Sequence, residues 1–294
     1  MFQGSMVAIV TPMKADGSID DDGLSRLIEF HIEQGTDAIV SVGTTGESAT
    51  LSMNEHAQVV QRTINLVAGR IPVIAGSGAN NTQEAIELAQ KAHKAGADAH
   101  LSVVPYYNKP TQNGMKAHFR AIADAVDLPM ILYNVPGRTV VDMSAETTAE
   151  LAAHDNIVGI KEAEGSVERT RDLLNLCPSD FIVLSGEDPS ACESIVLGAK
   201  GVISVTANVA PAMMHDMCVA ALGGDAAEAR ALNRRLEPVH RAMFAQSSPA
   251  PAKWSLAEMG LIQPHVRLPL LALEPHCFAS VREALEGADC LAVA

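Results

Sequence analysis

Cysteine is scarce and scattered in this chain of 294 residues, which has five cysteines and no C-x-x-C pair. An odd number at wide spacing argues against a disulfide scaffold and favours a reducing compartment, so we expect the protein in the cytoplasm. The N-terminal stretch MFQGSMVAIVTP has no basic segment before its apolar run and is not typical of a signal peptide. No run of 18 apolar residues occurs, so we predict no membrane span.

The chain also has few positively charged residues, which argues against a nucleic acid as its partner. Lys and Arg number 21 against 35 Asp and Glu, which gives a formal net charge of −14. A basic face for DNA or RNA is therefore not expected. The ten histidines form no H-x-x-x-H pair, and no G-x-S-x-G is present. The sequence thus predicts neither a metal site nor a nucleophile elbow.

Apolar runs are abundant, and eight of them recur through the first two-thirds of the chain. Each is nearly continuous, as in strands buried on both faces of a parallel sheet. The predicted strands are 5–12, 37–43, 71–76, 98–104, 129–134, 156–161, 181–186 and 201–205. Helical patterns lie between them, and one begins with the capping box of Ser52 and Glu55.

This alternation predicts an α/β fold, a (β/α)8 TIM barrel over residues 1–224. A doubly wound open sheet is the alternative, but it usually has fewer strands and a Gly-rich first turn, which IVTPMKADG lacks. Three further helices are predicted at 225–245, 251–260 and 275–290. We expect residues 225–294 to form a small C-terminal helical extension of the barrel.

The unusual residues follow the predicted strands, where a TIM barrel holds its chemistry. The segments after the strands are GTTGES (43–48), GSGANN (76–81), PYYNKP (105–110), YNVPGRT (133–139) and SGED (185–188). The three tyrosines of the chain, Tyr106, Tyr107 and Tyr133, all lie at or just beyond strand ends. In a chain with 3% aromatic residues, this clustering favours a site.

Lys161 ends the apolar run NIVGIK, where an ammonium group is costly to desolvate. Apolar surroundings lower the pKa of lysine, and a neutral amine attacks carbonyl groups. The sequence therefore indicates a Schiff-base lysine. The alternative is a lysine that pairs with Glu162 or another acid, or that extends to water, and position alone does not decide between them.

Three other segments have similarly open interpretations. GTTGE offers hydroxyls and exposed backbone amides that suit a carboxylate, or a Gly-rich turn in which Thr caps a helix. YNVPGRT offers a phenol for proton transfer and Arg138 for an anion, or a loop in which Arg138 makes an internal ion pair. GSGANN suits phosphate or an ordinary turn.

Taken together, these motifs resemble the dihydrodipicolinate synthase family, also called 4-hydroxy-tetrahydrodipicolinate synthases. These are the lysine-pathway members of the pyruvate-dependent, N-acetylneuraminate-lyase-like class I aldolases. Matching pieces run in order from residue 2 to about 275. They are GSMVAIVTPM, SVGTTGESATL, RIPVIAGSGAN, PYYNKPTQ, LYNVPGRT, NIVGIKEA, LSGED, GVISVTANVAP and KWSLAEMGLI. Arg138 together with PYYN narrows the resemblance to the synthases.

The resemblance implies an enzyme that condenses pyruvate with L-aspartate-4-semialdehyde in diaminopimelate and lysine biosynthesis. It implies a homotetramer, a dimer of dimers, with no metal and no organic cofactor. Another pyruvate-dependent aldolase of the same fold, a sialic-acid or keto-deoxy-sugar lyase, is the alternative. A scaffold protein without activity would be expected to lose the site residues, which are all present.

The resemblance also assigns roles to residues. Lys161 forms the Schiff base with pyruvate, and Tyr133 shuttles protons through Thr44 to Tyr107 of a neighbouring subunit. Thr45 holds the pyruvate carboxylate, and Arg138 holds the carboxylate of the aldehyde. Gly186 lies in the same rim, and Ile203 offers its carbonyl oxygen near the Schiff base.

The chain departs from the usual family pattern at four places. Glu164 and Glu187 replace more common residues, and SSPAPAKW (247–254) replaces the familiar NPIPVKW. Met53 stands where lysine-inhibited bacterial members often have histidine. The rest of a possible site for the inhibitor lysine is present, at Ser48, Ala49, His56, Asn80, Glu84 and Tyr106. From Met53 we expect weak inhibition by lysine or none.

Overall fold

Eight parallel strands close into a barrel in which each strand pairs with its neighbours in chain order, and β8 pairs with β1. The computed structural model describes residues 2–291. The strands are β1 (Gly4–Ala8), β2 (Ala38–Ser41), β3 (Val73–Gly76), β4 (Ala99–Val103), β5 (Met130–Asn134), β6 (Ile157–Glu162), β7 (Ile182–Ser185) and β8 (Gly201–Ser204). The predicted TIM barrel is confirmed.

Helices connect the strands and continue after the last one. Those of the barrel are α1 (Asp21–Glu33), α2 (Met53–Val67), α3 (Thr82–Ala95), α4 (Gln112–Ala125), α5 (Pro136–Thr139), α6 (Ala145–Leu151), α7 (Val167–Leu176), α8 (Asp188–Leu197) and α9 (Pro211–Leu222). The C-terminal helices are α10 (Ala226–Ala242), α11 (Ala250–Glu258) and α12 (Phe278–Gly287). Short 3-10 helices lie at Ser48–Thr50, Thr206–Asn208 and Pro275–Cys277.

Each predicted strand overlaps an observed one, but the predicted and observed ends differ. The apolar run 5–12 outlasts β1 because residues after Ala8 stay buried while leaving the sheet. There, the hydroxyl of Thr11 donates to the carbonyl of Gly46 at 2.6 Å. The apolar run 5–12 therefore indicates which residues are buried, and only its first part pairs in the sheet. The capping box at the start of α2 is present as predicted, with Ser52 and Glu55 bonded reciprocally.

Two apolar layers surround the sheet. One fills the barrel interior with side chains that include Met6, Val40, Ile74, Ile131, Leu184 and Ile203, and the other packs between the strands and the helices. Successive strand residues face opposite layers. On β6 this alternation sends Lys161 toward the interior and Glu162 toward the helices.

A buried ion pair joins the C-terminal helices to the loop after β2. Lys253 of α11 donates to Glu47, and both side chains are fully buried. The Lys253 ammonium also donates to the carbonyl of His265 at 2.7 Å, and the amide of Arg267 donates to Glu47 at 3.1 Å. This contact ties residues 225–294 to the barrel. The division of the chain at residue 224 stays a prediction.

None of the helices within residues 2–291 combines the length and apolar character needed to cross a bilayer.

Removing one member of this ion pair should destabilise the protein strongly. Lys253→Met leaves the Glu47 carboxylate buried without its partner, so we expect the free energy of unfolding in urea to fall by about 3–5 kcal/mol. The double variant Glu47→Gln with Lys253→Met should lose less, because no uncompensated charge remains.

The control is Lys116→Met, which breaks an ion pair to the mostly exposed Glu150. Such surface pairs contribute about 0–1 kcal/mol. Equal losses for Lys253→Met and Lys116→Met would contradict the role given to the buried pair.

Candidate active site

Lys161 and Tyr133 lie side by side at the carboxyl end of the barrel. They are register partners on β6 and β5, and the Lys161 Nζ lies 4.5 Å from the centre of the Tyr133 ring. Only 5% of Lys161 and 7% of Tyr133 is exposed. Both line a cavity of about 50 Å³, together with Ala8, Val40, Gly43, Thr44, Thr45, Leu101, Val135, Arg138, Ala163, Gly186, Glu187, Val205, Phe244 and Ser248.

The surroundings of Lys161 favour the neutral form of its amine. Burial lowers its pKa to about 8, and the nearby carboxylates of Asp188 and Glu187 offset part of that effect. Within residues 2–291 the ammonium forms no ion pair, and Glu162 bonds elsewhere. The interpretation of Lys161 as a lysine paired with Glu162 is therefore wrong, and so is that of a lysine extending to water.

Tyr133 is protonated at neutral pH in the ligand-free protein. Burial raises the pKa of its phenol to about 12, while the Arg138 guanidinium and a hydrogen bond with Thr44 act in the opposite direction. The phenol thus needs a neighbouring positive charge to lose its proton near neutral pH, and only the phenolate formed in this way accepts a proton. An iminium on Lys161, with its nitrogen close to the ring, is such a charge.

The next residue on each of these strands fixes their alignment from the opposite face of the sheet. Asn134 lies opposite Glu162, and its amide donates to the two carboxylate oxygens at 3.0 and 3.1 Å. The backbone amide of Glu164 also donates to Glu162, at 2.8 Å. Burial raises the pKa of Glu162 to about 7. These bonds hold the strand ends that carry Lys161 and Tyr133.

The loop after β2 brings Thr44 and Thr45 into the cavity. Its turns are closed by backbone bonds, from Glu47 to the carbonyl of Thr44 at 3.0 Å and from Ser48 to that of Gly43 at 3.3 Å. The Glu47 backbone is left-handed, with φ 60°. No threonine side chain caps the 3-10 helix that follows. The side chains of both threonines are thus not used for capping, and both residues line the cavity.

Gly186 and Ile203 differ in how they relate to the cavity. A Cβ on Gly186 would stand 2.9 Å from Lys161 Cε, so the absence of a side chain leaves the lysine its place. Ile203 is fully buried in the barrel interior and does not line the cavity, where Val205 is found instead. A contact from Ile203 would have to come from its backbone.

Arg138 extends from the short helix α5 and is largely exposed. It lines the catalytic cavity and also a larger neighbouring pocket of about 530 Å³. Among residues 2–291 its guanidinium makes no ion pair, so the internal ion pair considered from the sequence is wrong. A free guanidinium facing a cavity suits an anion.

Tyr107 is not brought into the cavity of its own chain. It is 90% exposed and has a left-handed backbone with φ 73°, which is unfavourable for a bulky residue. Tyr106 is less exposed, at 39%, and lines the larger pocket.

The larger pocket contains most of the residues assigned to the inhibitor site. It is lined by Ser48, Ala49, Met53, His56, Glu84 and Tyr106, besides Thr44 and Arg138 of the catalytic cavity. His56 donates from Nε2 to the carbonyl of Gly76 at 2.7 Å, and burial lowers its pKa. Asn80 does not line the pocket, and its amide donates to the Tyr106 carbonyl at 3.2 Å.

The second glycine-rich segment has a structural role. Asn81 at its end caps α3 by accepting from the amide of Gln83 at 2.9 Å. Within residues 2–291 no three His, Cys, Asp or Glu side chains gather in a way that would hold a metal ion.

Comparison with known proteins decides the family. The model of the dihydrodipicolinate synthetase family matches residues 1–288. The chain belongs to this family. A relative from Thioalkalivibrio sulfidiphilus, named 4-hydroxy-tetrahydrodipicolinate synthase, is 58% identical over 288 residues, 98% of either chain. One of the same name from Pseudomonas aeruginosa is 56% identical over 292 residues, which cover 99% of this chain and 100% of the relative.

Solved structures of the family have the same fold. The chloride-inhibited dihydrodipicolinate synthase from Acinetobacter baumannii, complexed with pyruvate, superposes with a TM-score of 0.98. It is 52% identical, and the match covers 99% of this chain and 100% of the other.

The sequence did not predict that several other residues would lie at this site. Asp188 accepts from the amides of Val205 and Thr206 at 3.0 and 2.9 Å, which fixes the loop after β8 beside the cavity. Phe244 and Ser248 reach the cavity wall from beyond the barrel. SGED and SSPAPAKW both stood out as motifs, but nothing in either predicted these contacts.

The depressed pKa of Lys161 predicts the pH dependence of Schiff-base formation. Only the neutral amine attacks pyruvate, so below pH 8 the rate should rise about tenfold per pH unit and then level off. The measurement is rapid quenching with borohydride and mass spectrometry of the intact protein. The label should map to Lys161 and be absent from Lys161→Ala.

A rate that still rises steeply up to pH 10 would show an unperturbed lysine and contradict the effect of burial. A reduced pyruvyl group on Lys109 or Lys200 would contradict the assignment of the nucleophile.

Proposed function

We propose that this chain is a synthase that joins pyruvate to L-aspartate-4-semialdehyde, forming 4-hydroxy-tetrahydrodipicolinate for diaminopimelate and lysine biosynthesis. The observation that carries the proposal is Lys161, a buried amine with its pKa lowered to about 8, in a cavity that also presents the free guanidinium of Arg138. The names of the full-length relatives support the same reaction.

The reaction begins with covalent capture of pyruvate. The neutral amine of Lys161 attacks the ketone carbon, and the Tyr133 phenol gives its proton to the departing oxygen, so water leaves and a positively charged iminium forms beside the Tyr133 phenolate. The iminium withdraws electrons from the methyl group, whose proton passes to this phenolate. The developing positive charge beside the Tyr133 ring offsets the desolvation that otherwise keeps the phenol's pKa near 12.

Carbon–carbon bond formation follows. The enamine carbon attacks the aldehyde of the second substrate, and the aldehyde oxygen becomes a hydroxyl group. The amino group of that substrate then displaces Lys161 from the iminium carbon, so the ring closes and the free lysine returns.

The remaining groups position the substrates. Thr45, with Thr44 beside it, holds the pyruvate carboxylate through backbone amides and hydroxyls that line the cavity. Gly186 leaves space beside Lys161, and the backbone carbonyl of Ile203 polarises the Schiff-base nitrogen. Glu187 is a half-buried carboxylate in the cavity and suits the ammonium of the aldehyde substrate.

Tyr107 completes the proton path from a neighbouring subunit. Its 90% exposure and left-handed backbone support a side chain presented to a partner rather than to its own cavity. We therefore propose a homotetramer, a dimer of dimers, in which Tyr107 of one subunit reaches Thr44 of the next. The five free cysteines support work in the reducing cytoplasm.

A sialic-acid or keto-deoxy-sugar lyase would use Lys161 and Tyr133 in the same way. Arg138 argues against it, because an unpaired guanidinium suits a short anionic aldehyde better than a polyol. The deciding experiment is a coupled assay of pyruvate with aspartate semialdehyde beside pyruvate with sugar aldehydes. Faster turnover of the sugar aldehydes would overturn the proposal.

Arg138→Ala should impair use of the aldehyde far more than capture of pyruvate. A charge-assisted contact contributes about 1.5–3 kcal/mol, so kcat/KM for aspartate semialdehyde should fall by about 10- to 150-fold. Borohydride trapping of pyruvate should change little.

The control is Arg120→Ala, which removes an exposed arginine that lines neither pocket. If Arg138→Ala slowed both steps equally, Arg138 would be structural rather than a binding group.

Inhibition by lysine is the remaining part of the proposal. The larger pocket offers Glu84 for the α-ammonium group and Tyr106 for the carboxylate of lysine, with Asn80 oriented beside Tyr106. Met53 lines the same pocket where a second histidine is expected. A thioether is a weak acceptor, so the inhibitor loses a hydrogen bond there.

We expect weak inhibition of the wild type by L-lysine and stronger inhibition of Met53→His. One hydrogen bond to a charged group contributes about 1.5–3 kcal/mol, which corresponds to at least about tenfold in affinity. Met53→Leu, which restores no polar group, is the control and should respond like the wild type. Strong inhibition of the wild type below millimolar lysine would refute this prediction, as would a histidine variant no more sensitive than its parent.

A further inference from the structure

Ser248 is buried in the wall of the catalytic cavity, yet its hydroxyl has no partner within the described part of the chain. Only 4% of the residue is exposed, and its Oγ forms no hydrogen bond with any group of residues 2–291. Buried hydroxyl groups are nearly always paired, because leaving water without a new partner is unfavourable. A serine kept under these conditions beside Lys161 points to a partner that arrives with the substrates.

Ser248 is held next to an anchored helix. The residue lies two positions before α11, and the amide of Lys253 donates to the carbonyl of Pro249 at 2.9 Å. Lys253 is in turn anchored to the loop of Thr44 and Thr45 through Glu47. The adjacent Ser247 is exposed and lines no part of the cavity. Of these two consecutive serines, only Ser248 is buried and lines the cavity.

One group of the substrates has a proton donor but no lasting hydrogen-bond donor in the proposed function. Their carboxylates are assigned to Thr45 and Arg138, and the ammonium group is assigned to Glu187. The aldehyde oxygen gains negative charge when the carbon–carbon bond forms, and it receives a proton from Tyr133, but none of these residues keeps a hydrogen bond to it while that charge develops. A donor placed where charge develops accelerates the step, because it binds the transition state more strongly than the ground state.

We propose that Ser248 is a catalytic residue that donates its hydroxyl hydrogen bond to the aldehyde oxygen of the second substrate during carbon–carbon bond formation. This inference rests on the proposed function. The enamine electron pair forms the new bond, and the carbonyl π pair moves onto the oxygen. The proton that the methyl group gave to Tyr133 returns to this oxygen. The hydroxyl of Ser248 keeps its own proton and stabilises the alkoxide until it is protonated.

The test compares Ser248→Ala with Ser247→Ala and the wild type. Two rates are measured for each protein: pyruvate capture, by borohydride quenching, and single-turnover condensation of the preformed pyruvate adduct with aspartate semialdehyde. For Ser248→Ala we expect condensation to slow by about 10- to 100-fold, with capture unchanged within about twofold. Ser247→Ala should match the wild type in both rates.

Thermal unfolding of the ligand-free proteins separates this role from a structural one. Removing an unpaired hydroxyl should leave the Tm of Ser248→Ala equal to that of the wild type or higher. A lower Tm with both rates reduced would overturn the proposal, and so would a condensation rate within twofold of that of Ser247→Ala. If the wild type captured pyruvate but condensed no aspartate semialdehyde, the proposed function itself would fail, and this role with it.

Discussion

Desolvation of one ammonium group governs the arrangement at the carboxyl end of the barrel. Lys161 is almost fully enclosed, which lowers its pKa to about 8 and makes it a nucleophile near neutral pH. The surroundings must then exclude water without supplying a carboxylate in direct contact, since an ion pair would restore the charge. Asp188 and Glu187 act on Lys161 only at a distance. The same enclosure raises the pKa of Tyr133. In the proposed reaction the amine therefore acts first, and the phenol becomes able to give up its proton as the iminium forms.

Successive residues of a strand face opposite sides of the sheet. One residue can therefore face the cavity while the next one aligns the strands. Tyr133 and Lys161 face the cavity, whereas Asn134 and Glu162 bond to each other on the helix side of the sheet. The reacting groups are thus aligned by bonds that never contact substrate. Arg169 extends this support by pairing with Asp142 at 2.6 Å, while Asp142 also accepts from Asn134.

The parts of this site that are local in sequence could be predicted, and the parts that are distant could not. Lys161, Tyr133 and Thr44 lie at or just after the carboxyl ends of strands in a recognisable barrel, so the strand-end rule placed them on one rim. Phe244, Ser248 and Lys253 reach the rim from a region with no strand pattern, beyond the last strand of the barrel. The role proposed for Tyr107 depends on a neighbouring subunit, and strand and helix patterns describe one chain only. The role expected of Ile203 belongs to its backbone carbonyl. The pattern of apolar residues describes only side chains, so it could not have predicted this role.

The bond between Glu47 and Lys253 spans 206 positions and has a consequence for the order in which the enzyme matures. The loop bearing Thr44 and Thr45 is synthesised before β3, whereas its anchor Lys253 follows Glu47 by 206 positions. Contacts of such high sequence separation form late, because the entropy of closing the intervening loop must first be overcome. A nascent chain that has completed all eight strands therefore still lacks the contact that anchors this loop. We expect the loop to take its final position only after α11 has docked.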